Sequence, residues 1–578
     1  MKQISVLFLL FLNFFVFAQI EKKPLQKDQF FTPNSPQQSQ TAEKIHHLHS
    51  DFFAKDPEKY NGNPYFQGKV QFEHQGSQLY ADLVILYQDQ NFIKAIGNVK
   101  LQNPDGTVIT AGEMEYDGNT QKGIARKNVV LTDPKQTIKT ETLYYDKLQQ
   151  KAYFNTGGII SDYQNTMYTK SATYNTGSRL IDFTGNVKIN NAEYTVEGQN
   201  IIQNQNTNTA NFNGPTWITN KKNPSNRIYT EKGIYSMNAK EVWLEKNSTI
   251  YYNGKTLKGD KMYFNQITGF GKANKNVTLF DPKENRYIKG GYAEIYEKKD
   301  SAMITEKPYA VKILEKDSIY FSAEKIISYQ KVDSKEINTK KSFLRAYNKA
   351  RLYKSNAQAK ADSMSFDETD GILHLFRNPI LWSGEKQVSG DKIEVYFDTK
   401  AEYIDSLKVI GNAFAISKAD SLNKKDEFNQ VKGKLMTVYY KENEVKLAKV
   451  IGNAQAINYA DDQNEKTKET ERIGIAISSC GVIEAEFEER KMQIISCNIG
   501  ANSEVYPMSK ISKKDRFFPD FNWNTKDRPK KWQDIFLDSP NYEETKYESD
   551  DELYNKSMEI IRKNKEKEEA KKPKRVKK

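Results

Sequence analysis

The sequence predicts an all-β protein, an elongated β-roll built from repeats, and three observations carry that expectation. Tyr87, Tyr116, Tyr145 and Tyr174 stand 29 residues apart, and a fixed spacing of this size marks supersecondary units stacked on one another. Apolar and polar residues alternate between the punctuation points, as in a strand with one dry and one wet face. Gly-Asn or Lys-Asn steps recur inside the strand-like runs, where residues that tolerate positive φ bend the chain.

Composition agrees. Of 578 residues, 37% are hydrophobic and 12% aromatic, with 34 Tyr and 30 Phe against 5 Trp, and the mean hydropathy is −0.78. Aromatic-rich, polar-faced strands have this balance.

The repeat words are Ala111-Gly-Glu-Met-Glu-Tyr-Asp117, Gly259-Asp-Lys-Met-Tyr-Phe-Asn265, Ala361-Asp-Ser-Met-Ser-Phe-Asp367 and Gly390-Asp-Lys-Ile-Glu-Val-Tyr-Phe-Asp398, with looser copies at Tyr235, Tyr296, Tyr329 and Tyr440. Each is followed by a second half with the bend, as in Ala95-Ile-Gly-Asn-Val99, Ala125-Arg-Lys-Asn-Val129, Phe183-Thr-Gly-Asn-Val187, Ile410-Gly-Asn-Ala413 and Ile451-Gly-Asn-Ala454. About eleven such units fit between residues 66 and 460. One unit cannot bury its own apolar face, so copies must stack, and eleven layers would extend at least ~50 Å.

On one face fall Ile93, Ala95, Val99 and Leu101, then Val129, then Ile181, Phe183, Val187 and Ile189; Lys94, Lys100, Asp182 and Lys188 point the other way. These nine apolar residues are the candidate lining of an interior. The inner faces either pack on each other or stay apart as a groove, and the small Ala95, Ala125, Ala413 and Ala454 lean toward a groove. Periodicity leaves both readings open.

The chain divides into a signal peptide at 1–18, an irregular lead-in at 19–65, and repeats at 66–300 and 301–465. A terminal hairpin at 470–500 and an aromatic cap with a charged, partly disordered tail at 501–578 follow. Met1 to Ala18 has Lys2, an apolar run and small residues at Val16 and Ala18, the pattern of a cleaved export signal. The run of about 14 residues is shorter than the about 20 a span needs. No later stretch is apolar enough to cross a bilayer as a helix, so a soluble exported protein is expected.

Cys480 and Cys497 flank a run that turns at Glu488 and Glu489 if it forms a hairpin, which would set the two residues opposite each other. A disulfide and a pair of buried thiols both fit. His46, His47 and His49 form a cluster best read as solvated, because no further ligand joins it at metal spacing; His74 and His374 lie on strand-like segments. No nucleophile elbow, P-loop or dinucleotide fingerprint occurs, so neither catalysis nor a cofactor is expected. The net charge is +12, and Lys571 to Lys578 carry six basic residues, suited either to anionic headgroups or to solubility. The stretch Arg516 to Ser539 holds six aromatic residues; it either caps the last edge of the roll or docks to a partner, and capping is the more economical expectation. Export argues against nucleic acid as a partner.

The order of the words Ala81-Asp82-Leu83, Ala95-Ile-Gly-Asn-Val-Lys-Leu101 and Ala111-Gly-Glu-Met-Glu-Tyr-Asp117 resembles the OstA/LptA family. The likeness is closest from Gly76 to Val187 and looser to about residue 460. It implies a twisted β-jellyroll trough that holds the lipid A acyl chains of lipopolysaccharide, carries them through the periplasm toward the outer membrane, and joins other OstA-fold proteins end to end by strand pairing. The chain has more repeats than a short LptA, and no barrel follows them as in LptD. A lengthened bridge, a barrel-less relative of LptD and an assembly factor sharing the fold all remain open. So does a β-solenoid with a filled core and no lipid cargo. An outer-membrane barrel is disfavoured by Lys and Glu on outward positions, at about 2 to 4 kcal/mol each near the midplane.

Overall fold

Two-residue corners set the architecture. In the computed structural model, most strands of ten to twelve residues, such as Phe92–Gln102, Val108–Asp117 and Lys122–Thr132, run straight, bend once in the middle and run straight again. Pairing skips at each bend, for example between Ile96 and Val99 and between Arg126 and Val129. There the chain places two successive residues in the left-handed region: Gly97 and Asn98, Lys127 and Asn128, Gly185 and Asn186, Gly411 and Asn412, Gly452 and Asn453. Such a pair turns a strand through a sharp corner, which is why Gly and Asn recur there. Neighbouring corners are tied by carboxamide-to-carboxylate bonds, Asn98 to Asp82 at 2.9 Å, Asn276 to Asp260 at 3.0 Å and Asn412 to Asp391 at 3.1 Å.

The structure describes residues 43–333, 340–398, 403–419, 426–442, 444–463, 470–489 and 491–538, with single positions 555, 559, 562, 563 and 566. The expected signal at 1–18, the lead-in from 19 to 42 and the basic run at 571–578 lie outside these residues. Among the described residues, thirty-six strands join in one antiparallel sheet, nearly all pairings linking strands adjacent or nearly adjacent in sequence. Because the long strands bend, and short strands such as Lys151–Phe154 and Gly158–Ser161 serve one leg each, the sheet folds along its length into two legs, with apolar side chains between them. This is the all-β, repeat-built roll.

The roll begins earlier than residue 66. His46–His49 pairs with Gln71 to Glu73, and Phe52–Lys55 pairs with Pro64 to Gln67, so the second half of the expected lead-in is the first layer, joined by a turn at Tyr60–Gly62. The His47 ring stacks on Phe66 at 4.4 Å. Two interior clusters fill the roll, one from Ile45 to Phe212 and one from Val242 to Ile483, and Tyr235 packs against both.

The aromatic segment after the last strand does not cap the final edge. From Met508 to Asp538 it turns back and runs along the outer flank of the second half of the roll. Phe517, Phe518, Phe521 and Trp523 cover Phe414, Ile416 and Phe428. Farther back, Trp532, Ile535 and Phe536 cover Phe280, Tyr287, Tyr309, Val311 and Ile313. The reason lies in the strands beneath. In the second half the outward positions are apolar or aromatic and need a cover, whereas in the first half they are mostly Lys, Thr and Gln and need none.

Buried side chains hold this strap by its backbone. Gln387 donates to the Asn522 carbonyl at 2.7 Å and accepts from the Asn524 amide at 2.9 Å; Gln430 donates to the Arg516 carbonyl at 2.9 Å and accepts from the Phe518 amide at 3.0 Å. Trp382 donates to the Asn524 carbonyl at 2.9 Å. The buried Arg351 guanidinium pairs with Asp538 at 2.7 Å, and Lys360 pairs with Asp527 at 2.7 Å.

Candidate functional site: interior and seam

All nine residues expected to line an interior do face it, eight of them buried and Ile189 half-buried. In the second leg they extend a row that runs in register across the sheet: Leu79, Leu101, Ile109, Leu131, Ile138, Ile160, Met167, Ile189 and Val196. The same row continues through Ile218, Ile228, Ile250, Leu257, Leu279 and Ile288. This row thus contributes one apolar side chain per strand to the interior.

The alanines do not hold space open. Ala95 lies between Val84 and Met114, and Ala125 between Met114 and Leu143. Each small residue sits beside a bulky one, so the row alternates in size and fills. Ala95, Ala413 and Ala454 have no exposed surface. A cavity of about 20 Å³ lies under Tyr116 and Tyr145, about one water's worth, where a ligand pocket has roughly 300 Å³ or more. In this state the inner faces pack on each other there.

The tyrosine ladder has a different task from lining. At the mouth of the roll the free ends of the two legs meet, and Tyr116, Tyr145 and Tyr174 reach across it. The Tyr116 hydroxyl meets His74 Nδ1 at 2.9 Å, Asn103 Nδ2 donates to the Tyr145 hydroxyl at 3.3 Å, and the Tyr174 hydroxyl donates to Asp133 Oδ2 at 2.6 Å. Arg179 also bonds Asp133, at 3.0 Å, and Gln205 donates to Gln136 at 2.8 Å one layer farther on. Burial pushes all three phenols up, Tyr145 to about 12, so they stay neutral hydroxyls.

Between these rings sit Gly123 and Ala152, in register with Tyr116, Tyr145 and Tyr174. A Cβ on Gly123 would come within 3.6 Å of the Tyr116 ring, so small residues make room for the rings to lean across. Tyr87 is not part of the seam. It lies on the outer face, edge-on to Phe92 at 5.4 Å, and Leu86 holds the inner place.

His74, Asn103 and Asp133 are the partners that the sequence reading missed. Their own spacing, 29 and then 30 residues, is the signal that would have found them. Lys147, two residues after Tyr145, reaches across from the tyrosine side. Its ammonium donates to the Gln75 carbonyl and to Ser77 Oγ, both at 3.0 Å, and lies 3.5 Å from the His74 carbonyl. Farther along, Arg286 crosses the seam to Ser328 at 3.0 Å and to the buried Glu368, whose carboxyl is pushed up by burial although Arg286 opposes that rise.

Cys480 and Cys497 are joined, with Cα atoms 5.8 Å apart. They are not directly opposite: Ile483 faces Cys497, and Cys480 faces Ala454. The bond spans the corner of the last layers, where the Gly481 amide also donates to the Ile499 carbonyl at 2.7 Å.

A two-legged β-roll with a continuous apolar interior and a polar seam defines the class of this molecule. Two stretches carry a family signature. Residues 42–199 match the family described as OstA-like protein, and residues 285–401 match the one described as LptA/(LptD N-terminal domain) LPS transport protein. Through these segments the chain is OstA/LptA-like. Among solved structures it aligns with LptH from Pseudomonas aeruginosa, described as the LptA homologous periplasmic component of the conserved lipopolysaccharide transport device. Identity there is 12% over 26% of this chain and 95% of that one, with a TM-score of 0.20. No curated protein matches the chain.

Proposed function

We propose that this chain is an exported, periplasmic, non-enzymatic component of lipopolysaccharide transport, and that acyl chains are taken up between the two legs of its roll on the way to the outer membrane. The observation that carries this reading is the apolar row from Leu79 to Ile288, which begins in the OstA-like segment and ends in the segment that matches the LPS transport family. Because the inner faces touch, uptake requires the legs to part, and acyl chains then replace side-chain contacts with contacts of the same kind. Lipid A is the expected cargo.

Neighbouring OstA-fold proteins are the expected partners, through the two ends of the sheet. At the first end Leu48, Phe52 and Phe53 are exposed on the outermost strands; at the last, Met492, Ile494, Ile495 and Val505 are exposed on Lys491–Asn498 and Asn502–Pro507. Exposed strand edges flanked by apolar side chains favour pairing with another edge.

Photo-crosslinking side chains at Ile181 and Phe183 should label with lipopolysaccharide, and one at the outward Lys188 should not. Labelling at Lys188 alone would reject the conduit. The closely packed interior favours a second reading, a bridge with a permanently filled core, and that reading requires no interior label under any condition.

A further inference from the structure

Only the second half of the roll carries the strap. In the second half, the strap binds the outer flank from Phe428 back to Phe280. In the first half, the seam from His74 to Gln205 is held by side-chain bonds, and among the described residues no backbone pairing crosses it. Each such bond contributes only about as much as a solvent-competing hydrogen bond, so this seam parts more readily than any strand pairing.

Beneath it lies the cavity of about 20 Å³, walled by Phe72, Leu79, Leu101 and Met114, with Tyr116 and Lys147 at its mouth. Lys147 is unusual on this surface. Its ammonium is held by neutral oxygens alone, no carboxylate lies within 4 Å among the described residues, and burial pushes it down despite the more distant Glu73, Glu43 and Asp105. A partly desolvated cation over an apolar pocket is matched by an anionic group carried on an apolar chain.

We propose that the seam between His74 and Tyr174 is the slit through which an amphiphile enters the roll, its acyl chain passing inward under Tyr116 and Tyr145 and its phosphate resting on Lys147. This rests on the lipid-carrying reading above and adds to it a place, a direction and a headgroup contact. Arg179, the other cation of this lip, is already committed to Asp133 and serves to hold the slit's far end.

The test uses the full chain with a photo-crosslinker at Phe183, and lipid A or its dephosphorylated form as probe. In a second version Asn103→Cys and Tyr145→Cys are joined across the seam by a short bismaleimide; the native cysteines, being bonded, do not react. Bridging should lower labelling at Phe183 about tenfold for both probes relative to the same double variant left unbridged, which has lost the Asn103–Tyr145 bond and should label no less than the parent. Lys147→Gln should lower labelling by lipid A about tenfold and leave the dephosphorylated probe unchanged, with Lys147→Arg restoring it. Inorganic phosphate in excess should not compete; if it abolishes labelling by lipid A, the site belongs to free phosphate. Undiminished labelling of the bridged protein overturns the slit while sparing lipid carriage. An equal loss of both probes in Lys147→Gln overturns the headgroup contact. If neither probe labels Phe183 in the parent, lipid carriage itself fails, and the slit with it.

Discussion

At the scale of single residues, the seam sorts tyrosines that the sequence presents as equals. Tyr174 satisfies a carboxylate whose side chain is 1% exposed, and its loss leaves Oδ2 of Asp133 with Arg179 alone, while Oδ1 keeps the amides of Lys135 and Gln136. Tyr174→Phe should therefore cost about 1–3 kcal/mol in urea unfolding. Tyr87→Phe, on the outer face, should stay within about 0.5 kcal/mol. Equal effects would mean that the seam bonds contribute nothing. Phe183, with no exposed surface, should cost about 3–5 kcal/mol as Phe183→Ala, read by the same measurement. The 29-residue period was legible because it recurs in residue type. Its partners were less so, because His74, Asn103 and Asp133 keep a spacing while changing chemistry.

At the scale of elements, alternation and Gly-Asn steps were enough to read the bent strands, since both arise within a few residues of chain. The strap was not readable in the same way. Its aromatic richness was visible, but where it lies depends on outward positions such as Phe414, Trp382 and Tyr309, tens to hundreds of residues away, which look like ordinary strand residues. The strap carries a pH dependence. The bond from Lys360 holds the Asp527 carboxyl below its ordinary value, aided by Asn524 and Arg351. A lowered folded-state value means that docking stability is present above the unfolded carboxylate range and is lost as pH falls through the folded one. Emission from Trp523 and Trp532 should therefore report loosening on acidification below about pH 4. Lys360→Met should loosen the strap at neutral pH and flatten that response. Gln430→Ala should release the segment near Phe518 first, seen as faster proteolysis after Arg516, since a glutamine that pairs like a strand leaves two backbone groups unmatched when removed.

At the scale of the molecule, each layer contacts mainly its neighbours, so stability is close to a sum over layers and their interfaces. Hydrogen exchange should be graded, slowest near Ile138 to Phe183 and faster toward both end strands, rather than uniform as in a two-state globule. The disulfide fixes the last layers. Opening the loop of 17 residues between Cys480 and Cys497 should cost about 3 kcal/mol in a chain-entropy account. In a nearest-neighbour roll that loss stays local, so Cys480→Ala with Cys497→Ala should speed exchange in Lys491–Asn498 and leave Phe92–Gln102 unchanged. Whether the interior is packed or hollow was beyond periodicity. The answer depends on which bulky side chain lies beside each alanine, and that is a matter of register.

The position of the strap in the chain has a consequence for assembly in time. Layers can form in the order in which they emerge, each on the one before, but Met508 to Asp538 arrive only after the whole roll exists. Until then Phe280, Tyr309, Trp382, Phe414 and Phe428 stand uncovered along one flank. A chain interrupted anywhere before residue 508 would keep that flank bare and remain a target for chaperones and proteases, so the segment that follows the last strand reports that every earlier layer has been delivered.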